Sequence, residues 1–230
     1  MNKVLIILKR LKENFVRQRI LLLSMIIQNV PLSLIVLIYA NVIISNAKIT
    51  GELDYFQVSL FYNVAVASLF IIICVFAPLL ISRELNRLYT CNVIDHLLSV
   101  KIDISDIVYA IYIRGAVTLL ILLISSFPII SISFYFGGFS MFRIIKLLLF
   151  MICYSALISA ICVFISSRIF DANASIIVSY LIAIVVSVFT IFSLAGFLRS
   201  NLLYIFVIIL CIIISFALLS VSRKTRIFCT

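Results

Sequence analysis

Six long apolar runs, separated by short polar segments, divide this chain. Each run is long enough to cross the core of a bilayer, which takes about 20 residues of helix. Unpaired backbone groups are costly in lipid, so runs of this kind are predicted to be helical. The predicted membrane spans are residues 20–44, 56–81, 105–134, 142–166, 174–195 and 202–221.

The longest polar interval, residues 82–104, lies between the second and third runs. Apolar residues recur there at roughly helical spacing, which predicts a short amphipathic helix over residues 84–98. Ser105 and Asp106 then resemble the start of another helix, with a side-chain cap and an acidic first turn. One interpretation is a solvated loop with a little helix, and the other is a docking element for a cytoplasmic partner. The docking would be carried by Glu84, Arg87, Leu88, Ile94, Leu97 and Leu98.

The first 19 residues are both basic and amphipathic. A helix there would place Val4, Leu8 and Phe15 on one face and cover the rest with lysine and arginine. Such a helix is predicted to lie along the cytoplasmic membrane surface. The apolar run that follows is longer than the core of a signal peptide, which has about 7–15 residues. The first span is therefore expected to be retained.

The composition predicts an integral membrane protein that forms one transmembrane domain over residues 1–230. The chain is 66% hydrophobic and has a net charge of +10, and its mean hydropathy is +1.37. The basic residues lie in short segments between apolar runs, which favours orientation signals and contact with anionic lipid over nucleic-acid binding.

The distribution of charge predicts that both termini are cytoplasmic. With that orientation, only Lys48, Arg143, Lys146 and Arg199 lie on the outer side, and most other basic residues lie inside. Arg114, about two turns into the third span, could snorkel to the inner side.

Polar residues and prolines interrupt some spans. Gln28, Asn29 and Asn63 are expected to form hydrogen bonds between helices rather than to bind a substrate. The prolines within the first three spans, Pro31, Pro78 and Pro128, are interpreted as ordinary kinks more readily than as hinges.

Catalytic and cofactor motifs are missing from the sequence. No phosphate-binding loop or H-E-x-x-H motif is present, and the chain has one histidine. The six cysteines lack C-x-x-C spacing and are interpreted as small buried hydrophobes. No acidic residue lies in the middle of a predicted span, where ion-coupled transporters usually need one. The chain is therefore predicted to have no catalytic, metal or cofactor site and to take any transport energy from another polypeptide.

The layout and several short segments resemble the membrane subunit of an ABC-2 type transporter. The segments are Arg83-Glu84 at the end of span two, Leu97-Leu98-Ser99-Val100, and Ile104-Ser105-Asp106-Ile107-Val108 leading into span three. Ser166-Ser167-Arg168 at the end of span four is followed by Ala172 and Ala174, also as in that family. Where the family often has a proline after the Leu-rich helix, this chain has Val100-Lys101.

The resemblance implies a bacterial plasma-membrane permease, not itself an enzyme, with a cytoplasmic coupling helix at residues 82–104. It implies a separate ABC ATPase that binds ATP and magnesium, and a second permease copy or paralogue. The substrate expected from this family and from an almost uncharged path is hydrophobic or amphipathic, such as a cytolytic peptide toxin or a bacteriocin.

Two other functions stay open at this point. One is a membrane protein without transport activity, such as an immunity or scaffold protein. The other is an ion-coupled secondary transporter.

Overall fold

The six predicted runs fold as six long helices, which confirms the all-α polytopic membrane class. The computed structural model describes residues 19–52, 55–90, 104–135, 141–169, 171–199 and 201–224. Within these ranges, six helices are long and apolar enough to cross a membrane, and no strand is present. The chain is therefore a multi-pass membrane protein.

The helices extend beyond the predicted spans. Their bounds are α1 (Arg19–Thr50), α2 (Tyr55–Ala77), a π-helical segment (Pro78–Ser82), α3 (Arg83–Thr90), α4 (Ile104–Tyr135), α5 (Met141–Arg168), α6 (Ala172–Arg199) and α7 (Asn201–Lys224). α1 continues past residue 44 and ends where Gly51 adopts a φ of 75°, with its N–H donating to the Ala47 carbonyl at 2.9 Å. A left-handed glycine is a common helix terminator, because it has no Cβ to clash.

The second span differs most from the prediction. No break occurs at residue 81, because α2, the π-segment and α3 follow one another directly from Tyr55 to Thr90. α3 covers the first part of the predicted amphipathic helix, and the rest of that helix falls in residues 91–103, outside the described residues. The predicted interfacial helix at 1–19 also lies outside them, except for Arg19, which begins α1.

The helices divide into an inner and an outer set. In the most apolar part of the second, third and fourth spans, 50%, 56% and 61% of the residues are buried, against 22% in each of the other three. α5 is the central helix and packs against α2, α4, α6 and α7. Its Tyr154 ring meets the Phe70 ring edge-on at a centroid distance of 4.9 Å. The outer helices α1, α6 and α7 therefore present wide apolar faces to lipid or to a partner.

Candidate functional site

The π-segment lies where the second span leaves the core of the bundle, just before the polar interval. Pro78 begins it, and proline has no N–H to bond to the carbonyl one turn earlier, so the regular helix cannot continue unchanged. The Tyr180 hydroxyl, from α6, donates to the Val75 carbonyl at 3.1 Å. Single π-turns inside membrane helices often mark functional positions, which makes this segment a candidate site.

An ion pair joins α3 to α4 directly after the π-segment. Arg114 Nη1 lies 2.5 Å from Glu84 Oε1, and the side chains are 9% and 28% exposed, respectively. Arg114 thus turns towards the end of span two, as snorkelling would require. Removing one partner of an ion pair that is this far from water is costly in free energy, because the other charge stays buried.

The backbone of α4 also approaches the π-segment closely, at Gly115. A Cβ at this position would lie 2.5 Å from Cγ1 of Ile81, so a larger residue would have to displace the Ile81 side chain. Small residues permit this kind of close packing between membrane helices. The ion pair and the glycine contact together fix α4 against the start of α3.

On its other side, the second span is joined to α6 by a ladder of small and polar residues. Asn86 donates to the Ser175 hydroxyl at 2.6 Å, and the hydroxyls of Ser82 and Ser179 are 3.1 Å apart. One residue of this ladder, Cys74, donates to the Ala183 carbonyl at 3.3 Å. We call these contacts, together with the contact between Cys74 and Ser187, the serine ladder.

The serine ladder continues into the centre of the bundle through Ser187. This hydroxyl contacts Cys74 Sγ and the Tyr154 hydroxyl of α5, and it donates to the Ala183 carbonyl at 2.8 Å. Hydrogen bonds of this kind replace lost contacts with water and each contributes about 0.6 kcal/mol between membrane helices. Separate polar contacts therefore lie at successive levels from α3 to the middle of the membrane domain.

Sequence reasoning missed the serine ladder. The pattern that could have revealed it is a small or polar residue at every fourth position in both helices, which places them on one face of each. The residues are Cys74, Pro78, Ser82 and Asn86 in the second span, and Ser175, Ser179, Ala183 and Ser187 in α6.

A second polar cluster joins α1 to α4, and here the prediction is confirmed for two residues. Gln28 Nε2 donates to the Leu122 carbonyl at 2.9 Å and also contacts the Ser126 hydroxyl. Asn29 Nδ2 lies 3.3 Å from the Ser125 hydroxyl. The third residue expected to bond between helices, Asn63, has an exposed side chain.

Of the six predicted docking residues, three lie in α3 and three lie outside the described residues. Glu84 is turned into the bundle by its ion pair, and Arg87 and Leu88 lie in α3. Ile94, Leu97 and Leu98 lie outside the described residues. The neighbouring Leu85 is 1% exposed and belongs to the core, so the first turn of α3 faces the bundle. A surface for a partner would therefore begin after this first turn.

Metal binding finds no support in the described part of the chain. No group of three or more His, Cys, Asp or Glu side chains there could hold a metal ion. The described cysteines are free thiols; Cys74, Cys162 and Cys211 are buried, and Cys153 is half-buried. Cys91 and Cys229 lie outside the described residues.

A single helix passes from the bundle core into the polar interval, and it is clamped on one side by α4 and on the other by α6. Comparison with models of known families, with characterised proteins and with solved structures finds no match to this chain.

Proposed function

We propose that this chain is the permease subunit of an ATP-driven exporter of the ABC-2 type. A separate cytoplasmic ATPase binds ATP and magnesium, and its closure moves the permease through residues 82–104. This proposal combines the sequence resemblance with the absence of a phosphate-binding loop in the chain.

The observation that carries the proposal is the continuity of α2, the π-segment and α3. A force applied to α3 would reach the membrane domain through the consecutive helical segments from Tyr55 to Thr90. The Glu84–Arg114 pair and the Asn86–Ser175 bond would pass that force to α4 and α6. Transport machines often work by rigid movement of a few packed helices relative to the rest.

The chemistry of the spans supports a hydrophobic or amphipathic substrate. The polar groups at membrane depth are mostly neutral hydroxyls and amides, as in the cluster of Gln28, Asn29, Ser125 and Ser126. A charged polymer would have to leave water without compensating charges. A cytolytic peptide or a bacteriocin, which is largely apolar on one face, suits such a path better.

The proposed exporter contains two permease chains. α1 and α6 are among the least buried spans and expose large apolar side chains such as Leu37, Ile38, Leu181 and Val185. The family resemblance places contacts between copies at the first and fifth spans, which are these two helices. Symmetric pairing is the commonest way to build an oligomer.

The orientation can be measured by cysteine labelling. We expect Lys48→Cys and Arg199→Cys to react with a membrane-impermeant maleimide on intact cells, and Lys101→Cys to react only after the cells are opened. The reason is the excess of Lys and Arg on the side of the termini. Wild-type chain gives the baseline for the native cysteines. The opposite labelling pattern would place residues 82–104 outside the cell and remove the route to a cytoplasmic ATPase.

The function itself is tested by co-expressing the tagged chain with an ATPase encoded beside its gene. We expect the two proteins to elute together as two permeases and two ATPases, and inverted vesicles to take up amphipathic peptide with ATP. Uptake should survive a protonophore, because ATP rather than an ion gradient supplies the energy. Uptake that needs the proton gradient and no ATPase would indicate a secondary transporter. Sequestration of a partner without any uptake would indicate an immunity or scaffold protein.

A further inference from the structure

A cavity opens between α4, α5 and α7, apart from the π-segment and the serine ladder. Its volume is about 220 Å³. Its wall contains no charged side chain and combines apolar groups with hydroxyls. The lining residues that matter most are Tyr109 and Tyr112 of α4, Cys153 and Ala156 of α5, and Phe216 and Ser220 of α7.

Most of the hydroxyls that line the cavity lie at one end, and the Ser215 hydroxyl lies deeper. Tyr109 and Tyr112 lie within the first three turns of α4, and Ser220 lies in the last two turns of α7. Consecutive spans alternate in direction, so these three residues share one side of the membrane. Cys153 and Ala156 lie near the middle of α5, at greater depth. The cavity therefore runs from the interface towards the bilayer centre.

The mouth of the cavity faces lipid. Phe216 is 75% exposed although it lines the cavity, so it stands at the edge of an opening between α7 and α4. Because these helices cross a membrane, the medium at this depth is the acyl region of the bilayer. A molecule can enter sideways from one leaflet without passing through water.

The volume and the lining of the cavity indicate which molecule it can hold. An apolar cavity of about 150 Å³ accepts a benzene ring, and drug-sized ligands need about 300–1,000 Å³. The volume here therefore suits one narrow chain rather than a bulky ligand or a folded peptide. A phenol hydroxyl can donate one hydrogen bond and accept another, so Tyr109 and Tyr112 can meet an ester group at the interfacial end.

Basic residues at the end of α7 indicate the head group. Arg223 and Lys224 follow Ser220 closely in the sequence and end α7. Basic residues at a membrane surface attract anionic lipids. We propose that this cavity binds one acyl chain of an anionic phospholipid, with the ester at the tyrosines and the phosphate beside the basic end of α7. The inference does not depend on the export proposal.

The test uses the absence of tryptophan from the chain. Phe216→Trp places a fluorescent reporter at the mouth, and Phe206→Trp places a matched one on an exposed part of α7 away from the cavity, where the phenylalanine is 61% exposed. The purified full-length variants are titrated in detergent with phosphatidylglycerol brominated on one acyl chain. We expect saturable quenching at about one equivalent for the Phe216→Trp reporter and a weak, linear decrease for the Phe206→Trp reporter.

Two further comparisons identify what binds. Brominated phosphatidylcholine should reach half-saturation at about a fivefold higher lipid concentration. Its head group has no net charge, so basic residues do not attract it. Ala156→Leu should fill the cavity and abolish the saturable component, whereas Ala217→Leu, on an exposed part of α7, should leave it unchanged.

Three results would overturn the proposal. The first is linear quenching of both reporters. This measurement uses only the conservative tryptophan variants, so it does not depend on whether Ala156→Leu folds. The second is equal half-saturation for the two phospholipids. The third is quenching at the mouth that appears only on dilution of the protein, which would assign the cavity to a second copy of the chain.

Discussion

Replacing Leu97 and Leu98 together with aspartate is expected to weaken the complex with the proposed ATPase at least about tenfold. Burial of a leucine side chain contributes about 1.5–3 kcal/mol, and about 1.4 kcal/mol already corresponds to tenfold in affinity. The two leucines are the best candidates for the buried contact, since the first turn of α3 is used inside the bundle, where Leu85 is in the core. The six spans are untouched, so the variant should insert and accumulate normally.

The measurement is pull-down of the ATPase from solubilised membranes, together with ATP hydrolysis by the reconstituted complex. Asn92→Asp with Ser99→Asp is the matched control, because it adds the same two charges to the same interval and removes no leucine. The control should retain most of the ATPase. Normal retention and normal peptide uptake by the Leu97→Asp, Leu98→Asp variant would eliminate the docking role of this interval.

The second large effect is expected at the ion pair between α3 and α4. Glu84→Gln would remove the carboxylate that pairs with the Arg114 guanidinium, which is 9% exposed. Loss of one partner of a buried pair costs about 3–5 kcal/mol, and we expect about 3 kcal/mol because Glu84 keeps some contact with water. For a chain of this size, that cost lowers the thermal midpoint by roughly 6–12 °C.

Thermal unfolding of the purified chain in detergent measures this effect. Glu52→Gln removes an exposed carboxylate in the segment after α1 and should leave the midpoint within about a degree of wild type. Exchanging the charges, with Glu84→Arg and Arg114→Glu, should recover part of the loss. A midpoint for Glu84→Gln equal to that of wild type would show that the pair does not hold α3 to α4.

The two effects test different ends of the segment that we propose to carry movement from the ATPase to the helical bundle. The leucine pair concerns contact between the polar interval and a partner, whereas the ion pair concerns how α3 is attached to the bundle. A chain that carries Glu84→Gln and still binds the ATPase is expected to transport less substrate for each ATP that is hydrolysed. That result would separate the attachment of α3 to the bundle from the binding of the ATPase to the polar interval.

The sequence by itself determined that this chain forms six helices long and apolar enough to cross a membrane. An apolar run of about 20 residues must satisfy its backbone hydrogen bonds internally in lipid, so length and hydropathy alone predict a helix. The polar character of Gln28 and Asn29 likewise predicted bonds between helices, because no other partners exist at that depth. These inferences concern single segments and need no knowledge of which segments are neighbours.

The ends of the helices were predicted less well than their existence. Hydropathy reports where the lipid core ends, whereas a helix ends where its backbone bonding stops. α1 therefore continues to Thr50 and stops at Gly51, and the second span passes through the π-segment into α3 although its composition changes at residue 81.

Only the tertiary structure decided which faces of the helices meet. Spans that are apolar all round carry no periodic pattern to show which side is buried. The serine ladder joins Asn86 to Ser175, and the ion pair joins Glu84 to Arg114, across separations of 89 and 30 residues. A four-residue repeat of small side chains marks a face that can pack closely, but the choice of its partner depends on how all six helices fit together.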